Sequence, residues 1–155
     1  MNTRRYLTAR DFPLHRDPAD DMTLCRICGK RCKYKQARVC SAECRETSWV
    51  LMRVASQRWR VERRDKGVCA LCGWDTGKLE RIVARSWSLS RRVPRSYVCD
   101  CLGLPRELSF WEMDHIISVA KGGGVHPGMA LAEVLGNLRT LCVPCHRARR
   151  RDGVR

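Results

Sequence analysis

Residues 136–146 read Gly-Asn-Leu-Arg-Thr-Leu-Cys-Val-Pro-Cys-His and combine a metal-binding turn with chemically active side chains. The turn is the Cys-x-x-Cys of Cys142 and Cys145, the spacing at which a tight knuckle presents two sulfurs to one zinc ion. An Asn precedes this turn, and a His follows it directly. Upstream, residues 111–116 read Trp-Glu-Met-Asp-His-Ile and place an acid beside a second His. Together the two segments predict a metal-assisted catalytic site beside a zinc-binding frame.

Zinc takes four tetrahedral Cys or His ligands, so each knuckle needs a second pair of sulfurs. Cys69 and Cys72 supply that pair for Cys142 and Cys145, and we predict structural zinc on these four. A second structural zinc is predicted on Cys25, Cys28, Cys40 and Cys44. The spacing of this set is less regular, and Cys32 could replace one ligand. We interpret the remaining cysteines as packing residues or free thiols rather than ligands: Cys32, Cys99 and Cys101.

The charge of the chain favours a polyanionic partner. Lys and Arg number 31 against 16 Asp and Glu, which gives a formal net charge of +15. Nucleic acid is the natural candidate, because an anionic membrane would leave the Asp, Asn and His residues unexplained. The sequence shows no apolar run of about 18 residues and no signal pattern, so we expect neither membrane insertion nor secretion. A bacterial cytoplasm or a phage-infected host cell is the expected location, where the 11 cysteines favour metal over disulfides.

The pattern of motifs predicts four regions along the chain. In order they are a flexible N-terminal arm (1–22), a zinc finger (23–45), a connecting helix (46–66) and a catalytic domain (67–155) with an insert at about 76–110. Apolar spacing from about 43 to 64 predicts that the helix has one apolar face and stops at Gly67. On that face Trp49 and Trp59 are interpreted as packing residues rather than base-stacking platforms, and Ser41 is a candidate helix cap.

The catalytic domain is predicted to be α+β. The expected elements are a short helix over 79–87, a strand over 112–119, a turn at 121–124, a strand over 137–141 and a helix over 145–151. Successive side chains of a strand face opposite sides. Asp114 and His115 can therefore serve one site only if the strand ends, bends or bulges there, and we expect such an irregularity.

Hydrolysis of a phosphodiester requires a deprotonated water in line with the leaving oxygen and a cation that offsets charge growing on the phosphoryl oxygens. Asp114, His115 and His146 can supply both. A carboxylate suits a hard divalent ion, and an imidazole with a pKa of about 6.5 accepts a proton at neutral pH. His146 follows the zinc ligand Cys145, so the structural ion fixes where its imidazole points.

From about Cys69 to Arg149 these residues resemble the HNH endonuclease family, the ββα-metal nucleases, in the subgroup framed by two Cys-x-x-Cys knuckles. The upstream finger from Cys25 onward is similar to the HNH region of an annealing-helicase nuclease. The resemblance implies a small, zinc-stabilised α+β domain with a treble-clef-like ββα-metal fold. It also implies products with a 5′-phosphate and a 3′-hydroxyl.

The resemblance further implies roles for individual residues. Asp114 and His146 would be ligands of a catalytic divalent ion, magnesium or another. His115 would be the general base, and Asn137 would pin the loop that carries the base through hydrogen bonds.

We therefore predict a stand-alone phage or bacterial endonuclease that hydrolyses DNA with a divalent ion. DNA is the expected partner, and a larger phage or bacterial DNA-processing complex is a second candidate partner. Four arginines flank the expected active face and are predicted to grip phosphates: Arg139, Arg147, Arg149 and Arg150. Such contacts give affinity without sequence information, so we expect low or structure-based specificity. The alternative is a non-catalytic zinc-containing module that binds nucleic acid. An RNA-cleaving toxin of related fold is a weaker rival.

Overall fold

The structure is a computed structural model that describes residues 7–89, 94–101, 103–104, 106, 109–126 and 129–152. The predicted α+β class is confirmed by a mixture of short helices with a two-stranded sheet. The elements are α1 (Ala42–Met52), α2 (Val54–Asp65), α3 (Thr76–Leu89), α4 (Arg95–Cys101), β1 (Trp111–His115), α5 (Leu131–Gly136), β2 (Leu138–Cys142) and α6 (Val143–Asp152). In the described part of the chain, none of the helices has the length and apolar character needed to cross a membrane.

The chain divides into two compact units. The first unit comprises Met1–Arg60 and His115–Asn137, and the second comprises Val61–Asp114 and Leu138–Arg155. Each unit contains one of the two predicted groups of four cysteines. The first unit also contains the segment predicted as a flexible arm. From Leu7 onward this segment is held against α1 rather than free. Leu7 and Phe12 are buried, and the Leu7 N–H donates to the Leu51 carbonyl (2.8 Å).

The predicted connecting helix is two helices in the structure. Arg53 adopts an extended backbone conformation (φ −136°, ψ 113°) between α1 and α2. The buried Gln57 side chain donates to the Val50 carbonyl (2.9 Å). This bond satisfies a carbonyl that a continuous helix would have bonded internally. Ser41 caps α1 as predicted, since its hydroxyl accepts the Cys44 N–H (3.1 Å).

The interpretation of Trp49 and Trp59 as packing residues is wrong. Their exposed fractions are 54% and 52%, whereas Val50 and Leu51 are buried. The physical reason is the break at Arg53: apolar residues that share one stripe on a continuous helix no longer share a face when the helix axis is interrupted.

The sheet consists of β1 paired with β2. Backbone bonds at its two ends, Val143 N–H to Phe110 O and Ile116 N–H to Asn137 O, run in opposite chain order, so the pair is antiparallel. The strand predicted over 112–119 ends at His115, and the chain bends at once, which confirms the expected irregularity. α6 begins at Val143, earlier than predicted, so Cys145 lies in its first turn. α5 was not predicted, because a helix of 6 residues is too short to display a period.

The insert contributes α3 and α4 to the second unit, and the predicted short helix over 79–87 is confirmed as part of α3. The two helices share a small core of Val83, Cys99 and Phe110, all nearly inaccessible to solvent. Glu80 bonds the Phe110 N–H (3.0 Å), which ties α3 to the residue before β1. Parts of the insert, including residues 90–93, lie outside the described residues, as does the end of the predicted flexible arm at residues 1–6.

Candidate metal centres and catalytic residues

Two groups of four cysteines bring their sulfurs within 4.8 Å of one another. The finger cluster is Cys25, Cys28, Cys40 and Cys44, and the sheet cluster is Cys69, Cys72, Cys142 and Cys145. Within them the Sγ atoms of Cys28 and Cys40 are 3.4 Å apart, and those of Cys72 and Cys142 are 3.7 Å apart. Four sulfurs at about 2.3 Å around a tetrahedral zinc ion lie about 3.8 Å from one another. A disulfide requires about 2.05 Å, so the geometry fits zinc in both clusters.

The first half of each cluster is built in the same way. In each, a Cys-x-x-Cys-Gly turn closes when the glycine N–H donates to the carbonyl of the first cysteine, at 2.8 Å for Gly29 and 2.9 Å for Gly73. These glycines have φ of 73° and 74°, in the left-handed region that other residues rarely adopt. The last ligand of each cluster lies in the first turn of a helix, Cys44 in α1 and Cys145 in α6.

In each cluster the pKa of the first cysteine is lowered and the pKa values of the last two are raised. Burial raises the pKa of Cys69, but backbone N–H groups outweigh it and hold the pKa at about 6. Burial and the neighbouring sulfurs raise the pKa of Cys142. In the finger cluster the pKa of Cys25 is likewise lowered to about 6, and the Cys28 sulfur and burial raise the pKa of Cys40 to about 12. Four adjacent thiolates repel one another, so full ionisation requires a bound cation, and zinc binding would release protons.

A pair of charged residues at the end of α2 braces the sheet cluster. Asp65 accepts the Thr140 N–H (2.8 Å), and the Arg64 Nη2 donates to the Leu138 carbonyl (2.6 Å). Burial raises the pKa of Asp65, but the Arg64 guanidinium and the Thr140 N–H lower it below its ordinary value overall. Sequence reasoning missed this brace, because the partners lie 74 and 75 positions apart.

In the first unit Asn137 fixes the loop that follows His115. Its Oδ1 accepts the Ile117 N–H (2.8 Å), and its Nδ2 donates to the carbonyls of Ile117 (3.0 Å) and Gly123 (2.6 Å). A Cβ at Gly123 would lie 1.8 Å from the Ile117 oxygen, so only glycine permits this close approach. His115 itself is half-buried at the end of β1. Beyond His115 the loop is thus held by the side-chain hydrogen bonds of Asn137, whereas β1 before it is held by backbone hydrogen bonds to β2.

In the second unit Asp114 lies on β1 with its side chain only 11% exposed. Its Oδ2 accepts from the Arg139 Nε (3.0 Å) and from the Arg149 Nη1. His146 lies half-buried in the first turn of α6. Two of the arginines predicted to grip phosphates therefore hold the predicted metal ligand in this structure.

The structure thus distributes the predicted site residues between the two units. Asp114 and His146 belong to the second unit with Arg139 and Arg149, and Arg147 and Arg150 are exposed on α6. His115 and Asn137 belong to the first unit.

Comparison with known proteins identifies the family. The sequence profile of the HNH endonucleases matches residues 98–152. The mouse (Mus musculus) protein ZRANB3, a DNA annealing helicase and endonuclease, is 30% identical over 125 residues, which cover 73% of this chain and 11% of that protein. Human (Homo sapiens) ZRANB3 is 29% identical over 147 residues, which cover 81% of this chain and 13% of that protein. The chain therefore spans about a ninth to an eighth of these relatives.

The crystal structure of the human ZRANB3 HNH domain is 25% identical, covers 62% of this chain and 85% of that domain, and superposes with a TM-score of 0.37. The family profile covers β1, β2 and α6, and the ZRANB3 matches extend over most of the chain. The chain is a member of the HNH endonuclease family, related to ZRANB3, and it carries a nuclease-type domain.

Proposed function

We propose that this protein is a metal-dependent endonuclease that hydrolyses DNA, with His115 as the general base. The observation that carries the proposal is that the Asn137 side chain makes three hydrogen bonds to the backbone of the loop after His115. A general base must keep its imidazole in a fixed direction toward the water that it deprotonates. An amide that bonds both the N–H and the carbonyl of Ile117 provides such a constraint two residues from the imidazole.

Asp114 and His146 are the residues that would hold the catalytic ion. A carboxylate oxygen and an imidazole nitrogen are donor types that divalent ions accept, with water completing the shell, and magnesium is our candidate. Such an ion, when bound, offsets charge that grows on the phosphoryl oxygens. The Asp114 side chain lies on β1 and is 11% exposed, and the sheet cluster fixes the start of α6, which carries His146.

DNA is the proposed substrate for two reasons. The formal net charge of +15 favours a polyphosphate, and the ZRANB3 relatives are named for an endonuclease activity and for annealing DNA. Arg147 and Arg150 present exposed charges on α6 for contacts with phosphates. Such contacts read no bases, so cleavage is expected to depend little on sequence.

A plasmid assay tests the proposal. Zinc-loaded protein is incubated with supercoiled plasmid, with and without added magnesium. We expect nicked and then linear product only with the divalent ion. The alternative, a non-catalytic zinc module, predicts a gel shift with the plasmid still supercoiled under both conditions.

A comparison of duplex DNA, single-stranded DNA and RNA as substrates defines the class of nuclease. We expect cleavage of DNA with 5′-phosphate ends. Cleavage confined to RNA would contradict the DNA assignment and favour a ribonuclease instead.

A further inference from the structure

Two guanidinium groups meet at one oxygen of the Asp114 carboxylate. Both Arg139 and Arg149 donate to Oδ2, and Asp114 accepts no other side-chain bond from the described residues. The exposed fractions of the side chains are 20% for Arg139, 31% for Arg149 and 11% for Asp114. Solvent and salt screen such partly buried charges less than they screen surface pairs.

The arginine from α6 approaches from the same side as the second proposed metal ligand. His146 and Arg149 are three positions apart on this helix, which places them on one helical face. Arg149 therefore lies where a divalent ion bound by Asp114 and His146 would feel its charge.

A divalent ion and two guanidinium groups compete for this single carboxylate. Arginine stays charged at every accessible pH, so the repulsion cannot be relieved by loss of a proton. It can be relieved if the guanidinium groups move to another anion. A phosphodiester is suitable, because its oxygens accept the paired N–H groups of arginine as a carboxylate does.

We propose that Arg139 and Arg149 exchange between the Asp114 carboxylate and phosphates of the nucleic acid, so that the divalent ion and DNA bind cooperatively. This inference rests on the proposed function, because it assigns Asp114 to the catalytic ion. Without DNA the arginines weaken ion binding. Phosphates that take up the arginines release the carboxylate for the ion. Thermodynamic linkage requires the reverse effect to be equally large, so the ion strengthens DNA binding by the same factor.

The test measures ion binding rather than cleavage. Manganese is titrated into the zinc-loaded protein, and free Mn²⁺ is followed by electron paramagnetic resonance with and without a short DNA duplex. All measurements use a His115→Ala background, so that the duplex is not cleaved. The Asp114→Asn variant, measured with the same duplex, reports how much Mn²⁺ is bound by the DNA rather than by the protein site. Anisotropy of a labelled duplex, with and without Mn²⁺, measures the reverse coupling.

Without DNA, we expect Arg149→Gln to bind Mn²⁺ roughly 10-fold more tightly than the parent protein does. Addition of the duplex should increase the Mn²⁺ affinity of the parent protein by a similar factor. In Arg149→Gln the duplex should have a smaller effect. Arg139→Gln should act in the same direction. The matched control is Arg151→Gln, which removes the same charge from an exposed position on α6 and should change the affinity by less than about 2-fold.

Two results overturn the inference, and they have different consequences. If Asp114→Asn fails to weaken Mn²⁺ binding, the ion site is absent and the proposed function falls as well. If binding depends on Asp114 but Arg149→Gln behaves like Arg151→Gln and the duplex has no effect, the exchange of arginines is wrong while the nuclease assignment stands.

Discussion

The finger cluster and the sheet cluster are built in the same way, but they differ in how many residues separate the cysteines that they bring together. Each joins a Cys-x-x-Cys-Gly knuckle to the first turn of a helix. The facing sulfurs belong to residues 12 positions apart in the finger cluster (Cys28 and Cys40) and 70 positions apart in the sheet cluster (Cys72 and Cys142). A zinc ion in the finger cluster therefore orders its own turn. A zinc ion in the sheet cluster joins the knuckle to β2 and α6, so the proposed ion ligand His146 depends on it.

The largest expected effect comes from removing one ligand of the sheet cluster. Structural zinc contributes about 10–16 kcal/mol in zinc-finger peptides, which is as large as the net stability of an ordinary domain, about 5–15 kcal/mol. Cys142→Ser should therefore lose one zinc ion, lose the near-ultraviolet dichroism of the second unit and abolish DNA cleavage. Zinc content, dichroism and plasmid nicking are measured on the same preparation.

The matched variant in the finger cluster is Cys40→Ser. It should also lose one zinc ion but retain the near-ultraviolet dichroism of the second unit, because its partner sulfurs lie nearby in the chain. Cleavage should fall too, because the proposed base His115 belongs to the first unit together with this cluster. Equal loss of the dichroism of the second unit in the two variants would contradict the difference that we draw between the clusters.

The loop after His115 offers a contrast, because an amide and a glycine hold it rather than a metal. Gly123→Ala would bring a Cβ to 1.8 Å from the Ile117 oxygen, which is backbone and cannot move aside cheaply. We expect the free energy of unfolding, measured with urea, to fall by about 2–3 kcal/mol. Cleavage should be weaker, and the zinc content should be unchanged.

Gly136→Ala is the matched control for Gly123→Ala. A Cβ at Gly136 meets nothing within 4 Å, and the residue ends α5, so the change should be neutral or slightly stabilising. If both glycines tolerate alanine equally, the close approach at Gly123 does not hold the loop.

A smaller effect is expected at the brace beside the sheet cluster. Asp65→Asn replaces the charged acceptor of the Thr140 N–H with a neutral one. We expect the free energy of unfolding at pH 7 to fall by about 1 kcal/mol. The folded-state pKa of Asp65 is lowered, so its contribution is complete above the unfolded pKa of about 3.9 and is lost only as the pH falls through the folded value. The difference in unfolding free energy between variant and parent should therefore stay constant from pH 8 to pH 5. A difference that shrinks across this range would show that Asp65 is not held as an anion.

The sequence predicted the features that depend on neighbours in the chain. The knuckles, the Ser41 cap, the helix within α3 and the end of the strand at His115 all follow from local spacing and from which side of a strand each residue faces. Zinc chemistry then pairs distant knuckles, because each needs a second pair of sulfurs. The fold class followed from these features.

The features that the sequence did not predict depend on partners that are distant in the chain or on a local break. Asp114 carries no local sign that it will bond Arg139 and Arg149, at separations of 25 and 35 positions. The break at Arg53 exposes Trp49 and Trp59, although their spacing suits a buried helical stripe. Tertiary packing decides such contacts, and periodicity alone does not encode it.

The most direct test of the nuclease assignment is the rate at which zinc-loaded His115→Ala nicks supercoiled plasmid with magnesium. Loss of a general base should lower the rate by roughly 10²–10⁴ while zinc content and DNA affinity remain. His15→Ala, an exposed histidine of the same unit, should keep the parent rate. If His115→Ala cleaves as fast as His15→Ala, His115 is not the base and the assignment fails.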